Sequence, residues 1–272
     1  PGEFTRRALE NGELDLALVP SRSWDALGVT TLRPLNAPFL IDSDALVEEV
    51  LTSDLPTTMM AGLADAGVEG IGMWPEGLRH PFGFSAAWDG PSDYEGAVVR
   101  VATATTATEL FEALGATTND AAPSAIEHTA IESSFLLDPG GTATGNVTFF
   151  PQVNVLVGGS DRLARLGDAD RSILEIAAER VQAWAFDSQP TDPEAAEKFC
   201  EGGGSVVLAP TADVDAMKAA AQSVLDDIAA DAGNAEVLTA IDALKAALPE
   251  QPAVEECAGG TASGSVDAVE AS

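Results

Sequence analysis

A chain of 272 residues, 46% of them hydrophobic, is long enough to bury a core and too apolar to be disordered throughout. Its 44 acidic residues against 13 basic ones leave a formal charge of −31, and no Lys/Arg run is present to replace phosphate counterions, so nucleic acid is excluded as a partner and anionic lipid is disfavoured. A surface this acidic keeps a protein soluble and monomeric, and no uninterrupted apolar run reaches the eighteen or so residues of a membrane span.

The chain opens at Pro1 on an amphipathic stretch, without Met or an export signal, and reads as a segment whose beginning lies upstream. Residues 4–11 (FTRRALEN) read as the end of a helix with Gly12 at its C-cap, and 14–19 (LDLALV) as a short buried strand closed by Pro20. Helix, glycine and strand in that order predict an alternating α/β architecture. Residues 43–66 predict two helices, the first capped by Ser43 and the second begun at Pro56; Gly67 ends them and 68–74 (VEGIGMW) is the next strand. From Trp74 to Gly90 periodicity is lost, which predicts loop or short strands. Residues 97–103 (AVVRVAT) form a strand with Val98, Arg100 and Ala102 on one face and Val99 and Val101 on the other. A helix over 106–114 follows, capped by Thr105 or Thr106 and stopped by Gly115. After a turn at 138–141, residues 146–157 give one or two strands. Asp168 then caps a long helix over 169–186 that carries Ile173, Leu174, Ala177, Val181 and Trp184 at helical spacing. A last strand at 205–209 precedes helices at about 213–231 and 234–248, and 257–272 is small, polar and low in complexity, a disordered tail by composition.

Catalytic chemistry is sparse. The two histidines, His80 and His128, come without a GxSxG elbow, and no HExxH, EF-hand loop, P-loop or dinucleotide fingerprint is present, so neither a metal nor a cofactor is implied. Cys200 and Cys257 are too far apart for a CxxC motif. In an exported protein they fit one disulfide between the last helices and the strand before them; in a cytosolic one they would be two separate thiols. Among the basic residues, Arg79 and Arg100 stand outside the predicted helix surfaces. An arginine in an apolar strand needs a partner, which is either a core carboxylate or water at a strand edge, or else the carboxylate of a ligand in a cleft. The bidentate guanidinium suits the last role.

Six stretches in order carry a resemblance: ENGELDLALVP, APFLIDSD, GVEGIGMWPEGLRH, YEGAVVRVATATTATELFEALGAT, FFPQVNVLVGGSDRLARL and EGGGSVVLAP. From residue 5 to about 256 they resemble the solute receptors of tripartite ATP-independent periplasmic (TRAP) transporters, the DctP-like family. The resemblance implies a two-lobed periplasmic-binding-protein-like α/β clamp with a long helix near 169–186 spanning both lobes. Residues 1–97 would begin lobe I, 98–186 would form lobe II with the crossing strands, and 187–256 would supply return segments and C-terminal helices. It implies a binding protein and not an enzyme, acting outside the cytoplasm with the membrane permease subunits of a TRAP transporter. Its ligand would be a small organic acid, held by Arg100 and helped by Arg79. The family's Asp-Gly-x-Glu…Asn stretch corresponds to residues 130–134, which keep Glu132 without the Asp-Gly or the Asn, so the family's ligand preferences are not carried over. Ser133 and Asn146 are candidates for the missing polar contact, and Trp74 and Phe149 for the cleft wall. A sensory ligand-binding domain and a hydrolase or lyase on a similar scaffold are the competing readings.

Overall fold

A left-handed Gly12 (φ 72°) ends the first helix, Gly2–Glu10, and turns the chain into β1 (Leu16–Pro20). The computed structural model describes residues 2–101, 104–119, 126–129 and 131–258. Seven more strands follow: β2 (Val68–Gly83), β3 (Val98–Arg100), β4 (Thr117–Asn119), β5 (Ile126–Thr129), β6 (Thr142–Thr144), β7 (Phe150–Gly159) and β8 (Ser205–Val207). They form one sheet in the order β1-β7-β2-β5-β3-β4, with β6 joining β2 to β8. Helices surround it, and none described is long and apolar enough to cross a membrane.

The two long strands organise everything else. β2 runs antiparallel to β7 over most of its length and then continues against β5 and β6. Met73 and Leu78 of β2, with Val153, Val155 and Val157 of β7, enter a first core built on Trp24, Leu32, Leu46, Val50 and Met59. Phe150 of β7 enters a second, with Tyr94, Val99, Leu110, Phe111 and Phe149, whereas Phe82 of β2 enters a third, with Phe199 and Val206. Each long strand thus crosses from the first core, which is lobe I, to the others, which are lobe II. The strand expected at 68–74 therefore extends to Gly83, through the stretch that reads as loop. Its register against β7 slips between Gly70 and Gly72 and again between Pro75 and Leu78, and these slips erase the alternation.

Two further expectations are corrected. Gly167, not Asp168, caps the helix Asp168–Ser188, and its apolar stripe does not face the core: Ile173 and Trp184 are 66% and 67% exposed. Ala178 and Ala185 face inward instead, and a Cβ on Gly72 would sit 3.0 Å from that of Ala178. Polar contacts fix the helix to β2, with Gln182 Nε2 donating to Met73 O at 2.7 Å and Gln189 Nε2 to Pro75 O at 3.1 Å. The last helical region breaks into three pieces, Thr211–Ala220, Gln222–Ala229 and Ala232–Ala247. A disulfide joins Cys200, near the end of the helix Asp192–Glu201, to Cys257, which pairs with Val206 of β8. It ties that helix to a C-terminal segment beyond the last helix. Residues 259–272, most of the expected tail, lie outside the described residues.

Candidate functional site

Alternation along β7 gives the crossing strands two faces. Val153 and Val155, with Met73 opposite Val155, face the first core. Phe150, Gln152 and Asn154 lie on the other side, together with Arg79, which is opposite Phe150, and Trp74, which is opposite Asn154. Arg79 and Trp74 are half-buried there, and the Arg79 carbonyl accepts from Phe149 N at 2.8 Å. Gln152 is nearly buried; its Nε2 is hydrogen-bonded to Glu76, whereas its Oε1 has no donor among the described residues.

The chain leaving β1 continues beside β7. Its turn Ser21–Ser23 packs against β7 and against the helix Thr105–Ala113 of lobe II. Asp25, 8% exposed, then reaches across: its two carboxylate oxygens accept from Thr105 N at 2.9 Å, Thr106 N at 2.9 Å and Thr106 Oγ1 at 3.0 Å. This corrects the expected local cap. The residue at the N-cap, Ala104, has no side chain able to accept, and lobe I supplies the carboxylate that the exposed helix N–H groups and dipole favour. Arg33 reinforces the junction, with Nε donating to Thr106 Oγ1 at 3.0 Å and its other nitrogens pairing with Glu109 at 2.6 Å and Asp227 at 2.7 Å.

Arg100 lies on β3, the strand that leads into this same helix, opposite Asn119 of β4. Its neighbour Val99 is fully buried, whereas Arg100 is exposed, so this cation is not sunk in a core.

The opposite side of β2 carries different chemistry. His80 is fully buried, with Nδ1 2.9 Å from Val147 O and Nε2 2.7 Å from Asp192 Oδ2. Asp192 N donates to Asp44 Oδ2 at 3.0 Å. Burial opposes a charge on His80, but Asp192 outweighs it and the imidazole pKa is raised. Burial, and then the charge of Asp192, push the Asp44 carboxyl up to about 6. Asp44, Asp192, Leu78, Asn146 and Lys218 help line a cavity of about 440 Å³ on this side, and neither Arg79 nor Arg100 lines it. Among the described residues no group of three or more His, Cys, Asp or Glu is placed to hold a metal.

The sequence-derived candidates thus separate. Arg79 and Trp74 share one side of the crossing strands, and Arg100 stands at the approach to the helix Thr105–Ala113. Phe149 is core: fully buried, it packs edge-on against Phe111 at 5.2 Å and Phe39 at 5.9 Å. Asn146 has both ends of its amide engaged, donating to Ala209 O at 2.9 Å and accepting from Ala209 N at 2.7 Å. It joins the chain before β7 to the segment that follows β8. Glu132 and Ser133 fall in the helix Ile131–Leu137, but their side chains lie outside the described residues. Sequence reading misses Asp25, whose carboxylate joins the turn after β1 to the helix Thr105–Ala113.

Residues 4–132 match the family described as DctP, bacterial extracellular solute-binding protein, family 7. No curated protein matches the chain. Among solved structures, a TRAP periplasmic solute binding protein from Xanthobacter autotrophicus Py2 with bound β-D-galacturonate is similar, with a TM-score of 0.76 and 18% identity over 89% of this chain and 84% of that one. A second, from Shewanella oneidensis with bound succinate, gives 0.75 and 16% over 89% and 84%. A third, from Ralstonia eutropha H16 with bound (S)-2-acetolactate, gives 0.73 and 21% over 90% and 82%. At such identities the likeness establishes the two-lobed fold.

Proposed function

We propose that this chain is a DctP-like extracellular solute-binding protein of family 7, which captures a small organic anion between its lobes and delivers it to the membrane subunits of a TRAP transporter. It is a binding protein, not an enzyme. The observation that carries the reading is Arg100, a cation on the otherwise apolar strand β3, exposed beside the buried Val99. A guanidinium there offers a carboxylate two parallel hydrogen bonds, and Arg79 on the crossing strand adds a second positive charge. Trp74, on the same side of β2 as Arg79, supplies apolar wall. In a chain of charge −31 such cations are the local attraction an anion requires.

The similar proteins named above were solved with galacturonate, succinate and acetolactate, each of which bears a carboxylate. Action outside the cytoplasm is supported by the Cys200–Cys257 disulfide, since such bonds persist in oxidising compartments. Closure would be hinge motion on β2 and β7, stabilised by contacts the solute makes to both lobes. The test is a thermal-shift and calorimetric screen of organic acids beside their neutral amides. Acids are expected to bind without turnover and amides are not; amides binding as tightly as acids, or product accumulating, would overturn the reading.

A further inference from the structure

β2 passes from the first core to the third between Leu78 and Phe82, and the buried His80 stands midway. Its Nδ1 lies 2.9 Å from Val147 O and its Nε2 2.7 Å from Asp192 Oδ2. A carbonyl and an ionised carboxylate only accept, so both ring nitrogens donate and the ring is an imidazolium held by Asp192. Asp192 opens the helix Asp192–Glu201, which enters the third core through Ala195, Ala196 and Phe199. Its main-chain N–H donates to Oδ2 of the half-buried Asp44 at 3.0 Å, and Asp44 opens the lobe I helix Asp44–Thr52. A peptide N–H brings no charge, so one imidazolium faces two carboxylates. The cluster is one cation short.

No neighbouring element makes up the difference. On the side of Asp44's own helix stand Glu48 and Asp42, the latter already paired with Lys245 Nζ at 2.6 Å. Lys218 lines the cavity of about 440 Å³ from the helix Thr211–Ala220, but among the described residues it forms no ion pair with either aspartate. The end of the long helix contributes Phe186 and Gln189 to the lining, and residues 251–254 add no charge. The cavity draws on all three cores, with Val47 and Leu78 from the first, Val214 from the second and Val254 from the third. Its width is therefore set by how the lobes stand, and it lies across β2 from Arg79. A rotation about the crossing strands that widens this side narrows the other. Widening brings water to Asp44 and relieves its excess charge, whereas a protonated Asp44 gains nothing from it.

Resting on the reading of β2 and β7 as the hinge, we propose that Asp44, Asp192 and His80 form a proton-operated switch behind it: loss of the Asp44 proton widens the rear cavity and closes the solute cleft, and its return opens the cleft again. The carboxyl is pushed up to about 6 beside Asp192, from an ordinary value of 3.8 that water would restore. Because the proton is held more tightly with the rear shut, raising the pH favours the closed cleft, by about 10-fold between pH 5 and pH 7.5. Loss of the His80 proton acts in the same direction, since it leaves both carboxylates unbalanced.

The test uses the whole chain without solute, its disulfide intact, carrying spin labels at Glu49→Cys and Asp215→Cys. Both positions are exposed, on the helices Asp44–Thr52 and Thr211–Ala220 that flank the cavity. Pulsed electron resonance is expected to show two distances, the longer gaining about 10-fold over the shorter from pH 5 to pH 7.5. Asp44→Asn accepts the same N–H without a charge, and its ratio is expected to change less than about 2-fold and to stay near the wild-type value at pH 5. Two distances in a ratio independent of pH, an Asp44→Asn response equal to that of the wild type, or a longer distance that fades as pH rises would each overturn the switch and leave the hinge standing. A single distance, unmoved at every pH, would overturn the hinge reading and the switch together.

Discussion

Replacing Asp25 by alanine removes a carboxylate from lobe I that caps a helix of lobe II 80 positions away in sequence. Three hydrogen bonds are lost, at 2.9, 2.9 and 3.0 Å. Thr106 Oγ1 keeps its contact with Arg33 Nε at 3.0 Å, so the damage falls on the two main-chain N–H groups. Loss of an N-cap acceptor costs about 0.5–2 kcal/mol, and its negative charge at a partly buried helix N-terminus adds up to about 1–2 kcal/mol. Thr106 N is buried, and stranding one such donor costs about 1–3 kcal/mol, much of it already contained in the cap figure. The expected loss is therefore about 2–4 kcal/mol, with Asp25→Asn, which keeps one acceptor and no charge, losing roughly half of that. Urea denaturation followed by circular dichroism reads it as a lower midpoint at unchanged slope. A loss below about 0.5 kcal/mol for alanine would show that the contact between lobes contributes little.

Three other outcomes follow from the same geometry. Removing the disulfide by Cys200→Ser with Cys257→Ser opens a loop of 57 residues' separation, and loop-closure entropy puts the destabilisation at about 4 kcal/mol; a change under about 1 kcal/mol in denaturant titration would contradict the bond's stabilising role. The raised pKa of Asp44 means the folded chain binds this proton more tightly than the unfolded one, so stability falls as pH rises from about 4 to about 6, by about 3 kcal/mol at most. Asp44→Asn still accepts from Asp192 N and is expected to be the more stable protein at pH 7.5 but not at pH 4; an equal difference at both pH values would refute the assignment. His80 runs in the same direction, since stability from its raised pKa is present below its ordinary value of 6.5 and is lost as pH climbs through the folded value. Arg33→Met is expected to destabilise by about 1–3 kcal/mol, because it leaves Glu109 without its bridge at the same junction; no change in the urea midpoint would count against that bridge.

Local chemistry explains what could be read from the sequence. Ser43 caps the helix Asp44–Thr52 as expected, its Oγ accepting from Leu46 N at 3.3 Å, and β1 and β3 coincide with short apolar runs between turn residues. Val99 is buried and Arg100 exposed because a strand alternates its faces, whatever surrounds it. Beyond one element the signal fades. The second half of β2 was invisible because two register slips broke its period, although Arg79 within it stood out by charge. The stripe on Asp168–Ser188 looked like a core face, but the helix meets β2 through Ala178 and the amides of Gln182 and Gln189. Asp25 reads as an ordinary turn acid, and only the fold brings it to Thr105.

Calorimetric titration of Arg100→Ala with a carboxylate that binds the wild-type chain bears most directly on the proposed function. Loss of a two-pronged, charge-assisted contact at the anchoring end should weaken binding by about 100-fold or more. Affinity equal to the wild type would place the anion elsewhere and remove Arg100 from the site.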